Sequence, residues 1–591
     1  MLTTLTAPAF AKTWDIEKGD ITVKAGEAEG PNKVKQGDSD FVKDEGDTII
    51  TGTSDKNTVT IEAENKGDKV EVTLKDVNID ASSRSEAAVS VTGKGDTTIE
   101  LDGDNELKSG AGHAGLEHNK TDTSGELTIQ DKDKNGSLEA AGGFKGAGIG
   151  SAGSNDAQVK ITGGNITATS DDWGAGIGSG SYGTGTVEIT GGEINATGGY
   201  LGAGIGGGCN GSGNVTISGG TITAAGSDGT AGIGGGYYNG ATVTITGDAV
   251  IKNASSTKYG AGIGGGNGSD GNVTISGNAK IENATGGYGA AGIGGGAFSS
   301  PDKIGNGNVV IKDNAKIDNV QGGAYGAGIG GGIYGLSNVT IEGNTKVNAT
   351  GGAGGAAIGG GAGAENNSDN NGNQITIKSN ENGSPTINAV GGGTDEGEKI
   401  VIGGAGIGAG CESNADADIT LEGKVTITAT AGKDNVAIGA NGIEQEFSGL
   451  AEGSSITRYD PEGNDITLPT DPVPAVPSSS GGGSADASVQ ESVFPGLVVT
   501  DKDGQHISYT SIRGNNVLSI RVGRFTASLR ASLATLRQLR AEGIDTITFQ
   551  TILCSTTLSV DKLLAMGGED TEVVLTHHIR SSTLTVGGKA V

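Results

Sequence analysis

The chain has 591 residues, of which 114 are Gly and only 3% are aromatic, and its 70 acidic residues outnumber its 40 basic ones. The acidic balance argues against a nucleic-acid partner, because phosphate binding needs clustered Lys and Arg. The sequence has no run of 18 apolar residues, so no transmembrane helix is expected. The glycines lack the three-residue period of collagen.

The apolar stretch at the N-terminus ends at Ala9-Phe10-Ala11, an A-x-A pattern typical of signal-peptide cleavage. We interpret residues 1–11 as the remnant of a secretory signal peptide that starts upstream, with the mature chain beginning at Lys12. The predicted location is secreted or at the cell surface. The three cysteines are too far apart, and odd in number, for a metal site or a disulfide framework.

Residues 12–44, which include Trp14, are predicted to form an N-terminal cap. Strand-like segments follow at residues 70–74, 98–101 and 127–129. The loop that begins at residue 131 has the spacing of a calcium site in Asp131, Asp133 and Asn135, although a calcium loop of this kind would carry Glu where this chain has Gly142. An acidic turn between strands is the alternative, so calcium is a possible ligand and no other cofactor is expected.

The segment Gly-Ala-Gly-Ile-Gly, or a close variant, recurs ten times, with its Ile at 149, 177, 205, 233, 263, 293, 329, 358, 407 and 438. The first three intervals are 28 residues, and the later ones are longer because of insertions. A sustained period of this size is the signature of a solenoid.

Each period contains two further apolar segments that alternate with Thr, such as Val215-Thr216-Ile217 and the strand around Ile222. Gly pairs separate them and supply sharp turns. Three short strands and three turns in each period predict an all-β fold over residues 45–445, a right-handed three-sided parallel β-helix in which equivalent strands stack. Asn253, Asn283 and Asn319 are predicted to face inward as an asparagine ladder.

Aromatic side chains cluster four or five residues before or after the repeat Ile. Equal offsets in a solenoid become columns, so two aromatic columns should flank the glycine-rich strand and leave it as an open floor. Aromatic faces pack on the C–H faces of sugar rings, which predicts a carbohydrate-binding groove; mutual stacking that shields the turns is the alternative. The candidate residues are Phe144, Trp173, Tyr182, Tyr200, Tyr237, Tyr238, Tyr259, Tyr288, Phe298, Tyr325 and Tyr334.

No catalytic constellation is evident in the sequence. His113 with His118, and His577 with His578, lack partners at metal-ligand spacing, and we interpret them as solvent-exposed. The repeated glycines match a dinucleotide motif, but no helix follows them, so they are predicted to be turn residues.

Residues 446–490 are rich in Pro, Ser and Gly and are predicted to be a linker. Residues 491–591 differ in composition: residues 1–487 contain two Arg, and residues 488–591 contain seven. A predicted amphipathic helix over residues 525–542 and several strands indicate a small α/β domain whose partner is unknown.

The stretches Val72-Thr73-Leu74-Lys75-Asp76-Val77-Asn78-Ile79 and Leu127-Thr128-Ile129, with the Thr-Gly-Gly-x-Ile units, resemble a family of bacterial, secreted carbohydrate-binding β-helix domains related in fold to pectate lyases. This resemblance implies a right-handed helix that binds polysaccharide without cleaving it and that could bind calcium.

The leading hypothesis is therefore a secreted, non-catalytic carbohydrate-binding or adhesion protein whose partner is a polysaccharide or cell-surface glycan. One alternative is a structural stalk or adhesin passenger that binds no sugar. The other is a polysaccharide lyase or hydrolase; a lyase needs a Lys or Arg base, and the repeats lack Arg after Arg84 until Arg458.

Overall fold

A computed structural model describes residues 12–27, 30–298, 303–366, 372–393, 402–472, 496–501, 506–507, 509–514, 516–522, 526–551, 554–578 and 582–590. They belong to two units, divided between Val476 and Pro477. The predicted signal remnant 1–11, and residues 473–490 of the predicted linker, lie outside the described residues.

The first unit is a parallel β-solenoid of about 15 turns. Each coil contributes one strand to each of three faces, and every face is a parallel ladder. The strands of the first face are Thr13–Asp15, Thr48–Ser54, Lys69–Asp80, Asp96–Asp102, Leu127–Gln130, Asp156–Ile161, Gly185–Ile189, Gly213–Ile217, Ala241–Ile245, Gly271–Ile275, Gly307–Ile311, Ser337–Glu342, Asn373–Lys378 and Ala417–Glu422.

The second face follows the first in each coil. In the early coils Thr48–Ser54 and Lys69–Asp80 turn the corner and pair on both faces. The other strands of the second face are Asp104–Lys108, Ser137–Gly142, Asn165–Ser170, Glu193–Thr197, Thr221–Asp228, Val250–Lys258, Lys280–Ile281, Ala284–Thr285, Lys316–Gln321, Lys346–Thr350, Thr386–Val390, Thr426–Thr430 and Ser455–Tyr459.

The third face changes along the stack: its strands shorten to two residues when the Gly-Ala-Gly-Ile-Gly repeat begins. They are Ile21–Lys24, Val59–Ala63, Val89–Gly93, Leu116–Lys120, Ile149–Gly150, Ile177–Gly178, Ile205–Gly206, Ile233–Gly234, Ile263–Gly264, Ile293–Gly294, Ile329–Gly330, Ile358–Gly359, Ile407–Gly408 and Ile438–Ala440. The predicted three-sided parallel β-helix is confirmed.

Identical residues stack because the coils pair one for one. Val187, Val215 and Val243 are direct neighbours on the first face, and the Ile of each third-face strand pairs with the Ile of the next. These side chains point inward and are buried. A chain with few Leu and Phe thus builds a continuous core, because each coil needs only to cover its neighbour.

The parallel ladder begins earlier than residue 45. Thr13–Asp15 pairs with the strand at Thr48, and Ile21–Lys24 pairs with Val59–Ala63. Only Lys33–Gln36 and Val42–Lys43 form an antiparallel extension, in which the Asp44 carboxylate accepts a 2.8 Å hydrogen bond from the indole of Trp14. The predicted cap thus already contains two strands of the first coil.

The far end of the solenoid also extends beyond its predicted boundary. Ser455–Tyr459 pairs with Thr426–Thr430, and Ile443–Glu444 folds back antiparallel on Ile438–Ala440. The fully buried Arg458 holds this end through Asp471, at 2.6 Å, and Glu444, at 2.5 Å. Residues 446–472, which the sequence predicts to be linker, therefore close the stack. The sequence did not reveal this, because Arg458 joins groups that are not adjacent in the chain.

The inward asparagine ladder is wrong. Asn253 and Asn283 are half-buried and Asn319 is exposed on the outside of the second face, where Asn319 donates to Asn283 over 3.1 Å. The register shifts between Ile222 and Thr223 in the pairing with the next coil, so a bulge turns two consecutive residues outward and moves the Asn out of the core.

The described residues of the second unit form two sheets and two helices. Leu497–Thr500, Ala527–Ser532, Glu572–His577, Ser582–Val586 and Lys589–Ala590 form one sheet, and Thr510–Gly514, Val517–Arg521, Thr546–Thr551 and Cys554–Ser559 form the other. The helices are Leu533–Ala541 and Val560–Leu564. The first half of the predicted helix 525–542 is a strand, because Ser532 caps the helix by accepting the N–H of Thr535.

None of the helices in the described part of the chain is long and apolar enough to cross a membrane.

Candidate functional site

The segments on either side of the short third-face strands are joined by hydrogen bonds between coils. The residue four positions before the Ile offers its carbonyl to the residue four positions after the Ile of the next coil. The Cys209 N–H donates to Trp173 O over 2.7 Å, and the Ala297 N–H donates to Tyr259 O over 2.7 Å. The two predicted aromatic columns therefore lie side by side. They form one surface, called the ridge below, which consists of the residues four and five positions before and after each repeat Ile.

The predicted open glycine floor between two aromatic walls is wrong. Gly204, Ile205 and Gly206 are buried, as are the equivalent residues of the neighbouring coils. The strand is only two residues long, so the flanking segments come together above it and exclude solvent. Any ligand of these aromatic side chains would contact the outside of a ridge and not the inside of a groove.

The ridge holds its side chains in an unusual backbone conformation. Six of the eleven candidate aromatic residues have φ in the left-handed region: Trp173 at 62°, Tyr182 at 65°, Tyr238 at 62°, Tyr259 at 57°, Tyr325 at 72° and Tyr334 at 63°. Bulky side chains are uncommon there. Each such residue costs on the order of 1–2 kcal/mol relative to an unstrained conformation.

Other coils place glycine at the same positions with the same backbone. Gly229, Gly289 and Gly354 lie four residues before the Ile, and Gly268 and Gly363 lie five residues after it, all with φ between 61° and 81°. The fold therefore needs the left-handed conformation, for which glycine carries no steric penalty. Non-glycine residues at these positions carry a cost in stability, and besides the aromatic residues they include Lys145, Ser154, Leu201, Asn210, Glu412 and Asp434.

The outer surface of the ridge is partly aromatic. Tyr182 and Tyr200 are the most open, at 56% and 55% exposure, and Phe144, Tyr238 and Tyr288 are also exposed. The remaining candidates are half-buried: Trp173, Tyr237, Tyr259, Phe298, Tyr325 and Tyr334.

The rings form local groups and not one uninterrupted column. Phe144 contacts Trp173 with ring centroids 5.3 Å apart. Tyr288 lies between Tyr259, at 6.1 Å, and Tyr325, at 5.7 Å. A further group joins Tyr237, Tyr238 and Phe298 at centroid distances of 4.0 and 5.6 Å. Part of the aromatic surface is therefore used in mutual packing, as the alternative interpretation expected.

Polar groups lie among the rings. Lys145 Nζ is 5.2 Å from the ring centroid of Phe144 and 5.1 Å from that of Trp173, and Lys303 Nζ is 4.2 Å from that of Tyr238. The backbone of Asp172 forms a parallel β-bridge with Tyr200 of the next coil. Burial raises the pKa of the Asp172 carboxyl group. Its Oδ1 is buried, and no group of the described residues forms a hydrogen bond with it.

The phenol of Tyr237 is 3.0 Å from that of Tyr238, and its pKa is raised, first by burial and then by this hydrogen bond. The phenol is therefore neutral and can donate or accept a hydrogen bond at physiological pH. Sequence reasoning missed Lys145, Asp172 and Lys303 because their roles depend on stacking between coils.

The predicted calcium loop lies in the early coils, away from the short-strand repeats. Asp131 and Asp133 lie close to Glu100 of the preceding coil, with carboxylate oxygens of the three within 4.8 Å of one another. Asn135 lies beside them, and its amide nitrogen donates to Asp133 over 3.1 Å. Lys132 also lies 3.6 Å from Glu100. The three carboxylates are the residues that could hold a cation.

Two of the histidines predicted to be exposed are buried. His118 faces the carbonyl of Gln158 at 3.1 Å, and burial lowers the pKa of its ring. His577 is fully buried between Thr551 and Thr556. His113 contacts the Glu117 carboxylate at 2.8 Å. The isolated positions of these residues in sequence gave no sign of these partners.

Four segments of the first unit match a family model described as a beta helix repeat: residues 159–181, 187–209, 215–237 and 273–297. Each segment runs from a first-face strand to the ridge of the same coil, so the match agrees with the observed architecture. Neither the curated proteins nor the solved structures contain a significant match to the chain.

Proposed function

We propose that the protein is a secreted, non-catalytic carbohydrate-binding or adhesion protein that holds a glycan chain along the aromatic ridge. The observation that carries this proposal is the presence of Trp and Tyr at six left-handed positions, which other coils fill with glycine or with non-aromatic residues such as Ser154 and Leu201. Backbone strain of this kind is typically retained where the side chain serves a ligand.

The chemistry of the ridge suits a sugar polymer. Exposed rings such as Tyr182 and Tyr200 offer apolar faces to the C–H faces of sugars. Asp172, Lys145 and the Tyr238 phenol lie among these rings and supply the polar groups that sugar hydroxyls need. A repeat of about 4.8 Å along the ridge matches an extended polymer better than a small ligand.

The absence of catalysis is part of the proposal. The two arginines of the solenoid sequence are both engaged: Arg84 forms an ion pair with Glu86 at 2.5 Å, and Arg458 is buried. We therefore assign neither arginine the role of a lyase base.

The experiment that tests the proposal uses glycine substitutions at the strained positions. Trp173→Gly, Tyr182→Gly and Tyr238→Gly remove the rings, and each also relieves the left-handed strain, so the fold should survive. Binding of the full chain to a glycan array and to insoluble polysaccharides is measured with calcium and with chelator. We expect the triple variant to lose most of its binding while its circular dichroism spectrum stays unchanged.

Leu201→Gly is the matched control, because Leu201 occupies the same ridge position with φ 67° but carries no ring. This variant should bind as the wild type does. Equal losses in both variants would mean that the ridge backbone, and not the rings, decides binding. If the wild-type chain binds no glycan, the proposal fails and the solenoid is better described as a stalk. Binding that depends on calcium would implicate the Asp131 cluster.

A further inference from the structure

An open groove of about 790 Å³ lies at the corner between the third and first faces of the early coils. It is separate from the aromatic ridge, and its volume is in the range of ligand sites. The charged residues that line it are Lys66, Lys94, Lys120, Asp96 and Glu126.

The three lysines come from the same corner of three successive coils, with Lys66 three residues beyond Ala63, Lys94 one residue beyond Gly93, and Lys120 within its strand. Lys66 lies between the strands Val59–Ala63 and Lys69–Asp80, and Lys94 lies between Val89–Gly93 and Asp96–Asp102. Lys120 ends the third-face strand of the following coil. Adjacent coils are about 4.8 Å apart, so the three lysines form a staggered column along the corner.

Two carboxylates also line the groove, and each keeps its negative charge while it bonds within the fold. Asp96 accepts the Glu126 N–H over 3.0 Å, and the Glu126 carboxylate accepts the Thr128 hydroxyl over 3.3 Å and lies 3.9 Å from Lys160.

The lysines differ from these carboxylates. Within the described residues, no carboxylate lies within 4.0 Å of the ammonium group of Lys66, Lys94 or Lys120. The groove therefore offers three ammonium groups without a carboxylate partner, beside the carboxylates of Asp96 and Glu126, on a chain whose net charge is −30.

We propose that this groove binds sulfate or phosphate ester groups carried on a glycan. Lysine acts as a compact point charge with three donors, which suits a tetrahedral oxyanion. Planar carboxylates are best met by the fork of Arg, and the groove lining contains none. The column of lysines favours a polymer with repeated anionic groups over a single ion. This proposal does not depend on sugar binding by the ridge.

The test uses the full chain with Lys66→Gln, Lys94→Gln and Lys120→Gln together. Binding to dextran sulfate, phosphorylated dextran, polygalacturonate and uncharged dextran is measured by calorimetry at low salt and at 1 M salt. We expect the triple variant to bind dextran sulfate or phosphorylated dextran about 10- to 100-fold more weakly, since three exposed ion pairs are lost. High salt should abolish wild-type binding, because the Debye length falls to about 3 Å.

The control variant carries Lys56→Gln, Lys346→Gln and Lys433→Gln, three exposed lysines outside the groove that change the net charge equally. It should bind as the wild type does. Equal weakening in both variants, or no binding of the wild type to either ester, would overturn the proposal. Tighter binding to polygalacturonate than to both esters would also overturn it. If the triple variant loses its circular dichroism spectrum, Lys94→Gln alone must still weaken binding. The two ester polymers distinguish sulfate from phosphate.

Discussion

The early and late coils of the first unit share one core but build the third face differently. Early third-face strands such as Leu116–Lys120 are five residues long, and their outward positions carry polar side chains. Late strands such as Ile205–Gly206 are two residues long, and the flanking segments bond to each other above them. Shortening one face therefore converts an ordinary corner into a ridge of left-handed residues, where the aromatic side chains lie.

The largest loss of unfolding free energy is expected from removing one of the two arginines of the solenoid, with the other as the comparison. Arg458 closes the late coils, is fully buried and bonds to Asp471, Glu444 and the carbonyl of Gln445. Arg458→Ala leaves buried carboxylates unpaired and should lower the free energy of unfolding by about 3–5 kcal/mol. Arg84→Ala in the early coils removes an exposed ion pair with a value of about 0–1 kcal/mol. Urea unfolding followed by circular dichroism measures both; similar losses would show that the last coil is not held by Arg458.

The next effect concerns the backbone of the short strands. Gly206 has φ 131°, and a Cβ there would lie 2.1 Å from the carbonyl oxygen of Gly234. Gly206→Ala should therefore lower the free energy of unfolding by about 3 kcal/mol or more. Ser90 pairs with Glu117, and Glu117 pairs with Gly150 of the next coil. Ser90 therefore occupies, in an early coil, the register position that Gly206 occupies in a late one.

Ser90→Ala is the comparison variant and should change stability by about 0.5 kcal/mol or less. Thermal unfolding of the two variants and of the wild type measures the difference in stability. If Gly206→Ala is as stable as Ser90→Ala, the short strand tolerates a side chain, and the proposed reason for its glycine is wrong.

The smallest effect is a pH dependence confined to the early coils. Burial lowers the pKa of His118 below its usual value, and nearby Lys120 acts in the same direction. The unfolded chain therefore takes up the proton more readily as the pH falls below about 6.5, so the folded state loses stability in acid. His118→Gln should reduce the loss of stability between pH 7 and pH 5, measured by urea unfolding. An unchanged pH profile would show that His118 is not the group that titrates.

Much of the fold could be predicted from sequence, because the repeat reports directly on stacking. The ten Ile positions located the third face, and the alternation around Val215 and Ile222 gave the inward side chains of the other two. The ends could not be predicted: Trp14 with Asp44, and Arg458 with Asp471, are single contacts that no periodicity reports. The bulge that turned Asn253 outward was equally hidden, since one extra residue changes which side chains face the core.

The sequence predicted where the candidate aromatic residues lie relative to the short strands, but not the shape of the surface that they form. Equal offsets from the Ile placed Trp173 and Tyr182 beside the short strand, and the structure brings them to one ridge. The sequence could not show that hydrogen bonds such as that from Cys209 to Trp173 would close over the glycines. It also could not show that Lys66, Lys94 and Lys120 would meet in one groove.

The sequence by itself thus determined the repeating coil, since a solenoid is stabilised by contacts between neighbours that every period carries. Only the tertiary structure decided which side chains reach solvent at the corners and which charges find partners. Those outcomes depend on backbone conformation and on groups from adjacent coils, which lie about 28 residues apart in the chain and about 4.8 Å apart in space.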